Sequence, residues 1–274
     1  MRVGIGLPNT TPGADGPLLL EWALRADAGP FSTLAVLDRV AYDSIEPFTA
    51  LAAAAAVTSR VRLATMIVIG PLRSTALLAK QAASVQAIAG GRLTLGLSVG
   101  ARLDDYDVAG VDHRRRGARL SEQLAYLRGG HGIARGIGDG LELLAGGASG
   151  PALARMARYT DGYAHGGGPP RAFAAAAVNA RAAWSDLGRS GQPKLWGQGY
   201  FALDDAERGA AYLRDYYAFT GGFAEKIAAG NLTSARAVKD FIRGYEAAGC
   251  DELILLPTVT DIDEVDRLAE VIAG

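Results

Sequence analysis

One cysteine, three histidines and 7% aromatic residues are what this 274-residue chain has least of. The lone Cys250 cannot close an intrachain disulfide, so nothing calls for an oxidising compartment, and a cysteine-based zinc site is excluded. No charge of one sign dominates: 28 basic residues face 29 acidic ones, a net charge of −1, far from the balance of a general nucleic-acid binder. Long apolar runs are missing too. The alanine-rich stretch Leu51–Val57 falls well below the roughly 20 residues that span a bilayer, and Pro8 and Asn9 cut the N-terminal apolar run short of a signal segment. The expected protein is cytoplasmic and soluble, binds neither nucleic acid nor membrane, and holds no metal.

What the chain does have is alternation. Short β-branched runs at Val3–Leu7, Thr33–Leu37, Arg62–Ile69, Arg92–Val99, Leu141–Leu144, Gly162–His165, Lys194–Leu203 and Glu252–Pro257 are separated by helical patterns. The helices fall at Pro17–Ala28, Glu46–Thr58, Ser74–Ala89, Arg115–Arg128, Pro151–Tyr159, Pro170–Leu187, Ala235–Ala248 and Asp261–Ile272. Eight βα units close a parallel (β/α)8 TIM barrel, the expected fold for residues 1–274 as a single domain, with an open doubly wound sheet as the competing architecture. Two stretches read as irregular: Gly129–Gly140, and Asp204–Thr233 with its cluster of Tyr212, Tyr216, Tyr217 and Phe219.

A barrel of this type works at the C-terminal ends of its strands, so residues just after each run are the candidates. Gly146-Gly147-Ala148-Ser149-Gly150-Pro151 joins a strand to a helix and would turn free amides and a positive helix end onto one spot, a geometry that binds phosphate. Asp38-Arg39 would place a charge pair at the mouth, and His165, followed by three glycines, would put an imidazole there. Gly96-Leu97-Ser98-Val99-Gly100 satisfies G-x-S-x-G after a strand. Ser98 is then either an esterase-type nucleophile, with Asp161 and His165 in the right chain order, or part of a small-residue strand end that lets a flat ligand approach the backbone. Asp104-Asp105-Tyr106-Asp107 reads as acids at a helix start, and His113–Arg116 as a solvated basic turn. Gly4-Ile5-Gly6 lacks the third glycine and the helix of a dinucleotide fingerprint.

Several segments in order resemble the bacterial luciferase-like family of FMN- and F420-dependent oxidoreductases. They are Thr58–Thr65, Leu78–Val85, Gly90–Leu97, Gly117–Leu124, Gly146–Ser149 with Ala157–Gly162, and Ala248–Pro257. The resemblance implies a TIM barrel holding FMN, or alternatively coenzyme F420, with its phosphate at Gly146, Gly147, Ala148 and Ser149. Thr65, Ser98, Val99, Gly100 and Asp38 would border the ring, where the family commonly has a strained non-prolyl peptide after the third strand, and Asp38 or His165 would handle protons. Family members that use F420 often carry Asp-His after the second strand, where this chain has Asp38-Arg39. The family's hairpin after the fourth helix has no room in Gly129–Gly140, so a reduced substrate lid is expected. The implied activity is a monooxygenase acting on a small organic substrate with O2 and reduced FMN from a separate reductase, or else F420-dependent hydride transfer. A serine hydrolase and a non-catalytic flavin store are the readings outside that class. A homodimer packed through the Leu51–Val57 face is expected.

Overall fold

The computed structural model describes residues 1–130 and 140–274. Eight parallel strands run in sequence order around a closed barrel, β1 (Arg2–Gly6), β2 (Thr33–Val36), β3 (Arg62–Ile69), β4 (Leu93–Ser98), β5 (Glu142–Gly146), β6 (Gly162–Ala164), β7 (Lys194–Phe201) and β8 (Glu252–Pro257). Pairing of β8 with β1 closes the ring and removes the open sheet. The helices are α1 (Gly16–Ala28), α2 (Pro47–Val57), α3 (Thr75–Ile88), α4 (Leu103–Val108), α5 (Arg116–Arg128), α6 (Gly150–Tyr159), α7 (Pro170–Asp186), α8 (Ala206–Tyr216), α9 (Phe223–Ala228), α10 (Ala235–Ala247) and α11 (Glu264–Ala273). The eight expected strands and eight expected helices are all present, with ends moved by up to three residues. Asp204–Thr233 is more regular than expected: it folds into α8, a single 3-10 turn and α9. Most of Gly129–Gly140, where a reduced lid was expected, lies outside the described residues.

Strands buried on both faces explain the near-continuous apolar runs. On the helix side, Ile5, Leu34, Leu63, Leu95, Leu143, Leu195 and Leu253 join one core with Trp22, Leu51, Leu78, Leu124 and Phe173 from the surrounding helices. On the inner side, alternate strands contribute layers of four, as the registers dictate. The lowest layers hold Arg2, Arg62, Glu142 and Lys194, then Thr33, Thr94, Gly162 and Glu252. Above them Trp196 and Leu144 fill the centre against Gly4 and Ala64, followed by Ala35, Gly96, Ala164 and Ile254. The uppermost closed layer is Gly6, Met66, Gly146 and Gln198. A register shift between Thr65 and Val68 gives β3 a bulge there, so Met66 and Ile67 both pack with the inner cluster. The Met66–Ile67 peptide, inside β3 rather than after it, is cis.

Several of the segments that carry the family resemblance are scaffold at the opposite end of the barrel. The Arg60 guanidinium donates to the carbonyls of Asp27 (2.7 Å), Gly29 (2.7 Å) and Phe31 (2.8 Å), satisfying the end of α1. Arg92 does the same for Thr58 (2.8 Å), Val61 (2.6 Å) and Ala89 (2.8 Å). The turn from α3 into β4 needs left-handed backbone at Gly90 (φ 60°) and Gly91 (φ 88°), which only glycine adopts without strain.

Candidate functional site at the barrel mouth

The two halves of the mouth differ. Over β7, β8, β1 and β2 it is covered: Tyr212 and Tyr216 of α8 pack with Leu37, Met66, Leu256 and Tyr200 in the inner cluster. The cover is tied to several loops, by Tyr212 to Thr10 (2.8 Å between hydroxyls), by the Tyr42 hydroxyl donating to Asp215 (2.7 Å), and by Arg102 Nη1 donating to the Tyr216 carbonyl (2.6 Å). Burial raises the pKa of Tyr200, Tyr212, Tyr216 and Tyr217, so these phenols stay neutral. Over β3 to β6 the mouth is open. Ile67, Ser98, Val99, Gly100 and Gly147 are half-exposed, and Ala148, Ser149, Gly150, Gly166 and Gly168 are exposed.

The open half gathers most of the residues expected to hold a cofactor. Ser98 ends β4, and its Cβ lies 3.6 Å from where a Cβ on Gly146 would be; that same Cβ would meet Ile67 Cδ1 at 2.3 Å. Glycine at 146 therefore keeps the floor low beside Ile67 and Ser98. Tyr106 donates its hydroxyl to the Val99 carbonyl and fixes the segment before Gly100, whose φ of 69° turns the chain away. Gly147, at φ 116°, turns the chain toward α6. The N–H groups of Gly147, Ala148, Ser149 and Gly150 have no backbone acceptor among the described residues. Ser149 is the N-cap of α6, its hydroxyl accepting from Ala152 N–H, which leaves the O–H itself free to donate.

Other expected members take different places. Thr65 is fully buried, its hydroxyl donating to the Gly96 carbonyl (2.8 Å) and accepting from Gly96 N–H (2.9 Å); it stitches β3 to β4. Asp38 and Arg39 do not pair with each other. Asp38 accepts from Arg73 on both oxygens (2.6 and 3.0 Å) and from Ile69 N–H (2.8 Å). Burial pushes its carboxyl up against the pull of Arg73, whose guanidinium holds its proton more tightly, and the two form one enclosed ion pair. Arg39 Nε bonds Asp105 (2.9 Å), whose other oxygen accepts from Val40 and Ala41 N–H. Asp105 is thus more than an acid in the first turn of α4: it anchors the loop after β2. His165 packs edge-on against Phe173 on the helix side of β6, and its Nδ1 accepts from Gly167 N–H (3.3 Å). Burial lowers its pKa, so the ring is neutral.

Ser98 is no strained elbow. No residue other than glycine has positive φ among the described residues, and none of their imidazoles bonds its hydroxyl. Sequence reasoning missed Gln198, Arg73, Asn9 and Ile67. Asn9 joins the ends of β1 and β2 through Leu37 N–H (3.1 Å) and the Leu37 carbonyl (2.9 Å). For Gln198 a signal existed: the period-two alternation of Lys194, Trp196, Gln198 and Tyr200 puts a polar residue on the inner face.

Closed (β/α)8 barrels carry their sites at the C-terminal ends of the strands, the end at which Ser98, Gly146 and the start of α6 lie. The chain belongs to the luciferase-like monooxygenase family, whose model matches residues 1–249. It is 33% identical over 195 residues to an uncharacterised Mycobacterium tuberculosis protein, covering 57% of this chain and 67% of that one. Its fold is similar to an F420-dependent secondary alcohol dehydrogenase solved with an F420-acetone adduct (TM-score 0.78, 16% identity, 99% and 98% of the two chains). It is also similar to the oxygenating constituent of 3,6-diketocamphane monooxygenase, a type II Baeyer-Villiger monooxygenase from Pseudomonas putida in complex with FMN (TM-score 0.70, 15% identity, 93% and 91%).

Proposed function

We propose that the protein is a flavin-dependent monooxygenase that uses reduced FMN, delivered by a separate reductase, and O2 on a small organic substrate. The observation that carries this reading is the run of four amides without backbone acceptors among the described residues, Gly147 to Gly150 at the start of α6, beside half-exposed Ile67 and Ser98. The residues present suit the group: amides at a helix start take a phosphate, and Ala148, Ser149 and Gly150 are exposed beside half-exposed Ile67 and Ser98. When bound, the reduced flavin supplies the electrons and the oxygen chemistry.

The chain's own part is placement and exclusion of water. Ser98, Val99 and Gly100, held by Tyr106, border the ring, and the tyrosine cover of α8 walls off one side of the mouth. Asp38, with both oxygens on Arg73, holds the end of β3 in this reading. His165, turned to the helix side of β6 against Phe173, serves in this reading to hold the Gly166–Gly168 loop through Gly167 N–H rather than to transfer protons. Family members using F420 often have Asp-His after the second strand. Here that position carries two residues locked in separate ion pairs, which favours FMN. A homodimer through the exposed edge of α2 at Ala53 and Ala56 belongs to the same proposal.

The test is titration of the apo-protein with FMN and with F420, each oxidised and reduced, followed by turnover with and without O2. Tightest binding of reduced FMN and O2-dependent turnover are expected. Binding of F420 alone with anaerobic turnover would replace this reading by hydride transfer, and binding of neither ligand overturns both.

A further inference from the structure

Gln198 sits in the uppermost closed layer of the barrel with Gly6, Met66 and Gly146, paired in register with Ile254 of β8. It is the one polar side chain of that layer and is only 5% exposed. Its Nε2 donates to the Gly166 carbonyl (3.2 Å), while Oε1 has no partner among the described residues. The orientation of the amide follows from chemistry as well as position, since reversing it would set two carbonyl oxygens against each other. The Gly166–Gly168 loop also fixes the side chain from above: a Cβ on Gly167 would lie 3.5 Å from Gln198 Cγ. Tyr245 and His165 hold that loop in turn, through the Gly168 carbonyl (2.8 Å) and Gly167 N–H (3.3 Å).

A carbonyl kept from water without a donor weakens the folded state, and such atoms are rare. Gln81 Oε1, Gln123 Oε1 and Asn231 Oδ1 are unpartnered too, but they lie on α3, on α5 and between α9 and α10, outside the barrel lining, while Trp196 Nε1 lies two layers lower, sealed beneath Ala164 and Ile254. Gln198 differs because the layer above it, with Ser98 and Gly166, opens to solvent on the β4 and β6 sides. A ring resting on Gly146 and Ile67 lies one layer-neighbour away from its oxygen.

Building on the function proposed above, we infer that Gln198 Oε1 is a ligand contact, accepting a hydrogen bond from an N–H or O–H at the edge of the bound ring system. In the oxidised ligands two groups have that chemistry. The imide N–H of the pyrimidinedione ring is common to FMN and F420; the phenolic hydroxyl belongs to F420 alone. Gln198 thereby ties ring placement to the glycine loop after β6, which no other inward residue of its layer touches by hydrogen bond among the described residues.

Equilibrium titration of the full-length apo-protein tests this with FMN, imide-N-methylated FMN and F420, on the native chain and on Gln198→Met. Gln198→Met should weaken ligand binding about tenfold or more while the melting temperature of the apo form stays level or rises, opposite signs that a purely structural residue would not give. Methylation costing about tenfold on the native chain and nothing on Gln198→Met assigns the imide. Loss confined to F420 assigns the phenol. Native-like affinities for every ligand in Gln198→Met, or a melting temperature that falls in step with affinity, overturns the contact and leaves the proposed function standing. Methylation needs no variant, so a misfolded Gln198→Met leaves it decisive: undiminished binding of methylated FMN together with native binding of F420 stripped of its phenolic hydroxyl rejects the contact. Failure of the native chain to bind FMN or F420 brings down both readings.

Discussion

The two ends of one barrel interior are built to opposite rules. At the lower end polar side chains satisfy one another: Arg62 donates to Thr94 (2.7 Å), Thr94 to Glu142 (3.3 Å), Lys194 pairs with Glu142, and Glu252 takes Arg2 (2.6 Å), Ser32 and Thr33 (2.7 Å). At the upper end Gln198 Oε1 is left over, and the Ser98 hydroxyl and the N–H groups of Gly147 to Gly150 have no partner among the described residues. A plug whose charged side chains are paired with one another stabilises; a rim that keeps donors and acceptors in reserve binds. Between them the mouth's wall, made by the Asp38–Arg73 and Arg39–Asp105 pairs, follows the rule of the lower end although it lies at the upper one.

The largest effect is expected in that wall. Asp38→Ala leaves Arg73 with Glu46 (3.0 Å) as its remaining carboxylate and should lower the unfolding free energy by about 3 kcal/mol, read from urea unfolding at neutral pH. Unchanged stability with lost turnover would move Asp38 from wall to lining. Glu252→Leu comes next, at about 2 kcal/mol, less than a fully enclosed pair because Arg2 is 56% exposed. Ligand affinity of the folded variant should not change, and a drop would blur the division between the two ends. Ser98→Ala should alter stability by less than about 0.5 kcal/mol, and neither it nor the native chain should take up a fluorophosphonate label. Labelling that depends on Ser98 would turn the rim into a nucleophile site.

The smallest effect is a pH dependence. Burial lowers the His165 pKa below the 6.5 of a free imidazole, so the unfolded chain binds the extra proton first. Stability should therefore be full above pH 6.5 and decline as pH falls from there toward the depressed folded-state value. His165→Asn should flatten that decline in thermal melts taken across the range, and an identical slope in both proteins would mean that His165 is not enclosed as described.

The same contrast explains what could be read in advance. Period-two runs and glycine stops report burial and turns, which are local, so eight strands and their helices were legible from Val3 to Pro257. Arg60, Arg92 and Gly90-Gly91, within the stretches that resemble the family, serve helix ends and turns of the lower barrel. They betray the scaffold rather than the substrate. Gly146 to Ser149 were legible because strand, glycines and helix start are contiguous. Arg73, Asp105 and Asn9 were not: Asp38 meets Arg73 across 35 residues and Arg39 meets Asp105 across 66, distances over which no pattern runs. The cover also stayed hidden in part, since the tyrosines of α8 read as a cluster without a place, and only the closed barrel shows them lying over half the mouth.

The central claim of the proposed function is that the amides of Gly147 to Gly150, at the start of α6, hold the ligand's phosphate. Titrating the apo-protein with FMN and with riboflavin, which is FMN without its phosphate, at two salt concentrations tests it most directly. The expected result is binding of FMN at least about tenfold tighter than riboflavin, about 1.4 kcal/mol, with the gap narrowing but persisting from low to moderate salt, because salt screens the helix end but not the hydrogen bonds to the amides. Equal affinity for the two would contradict the account.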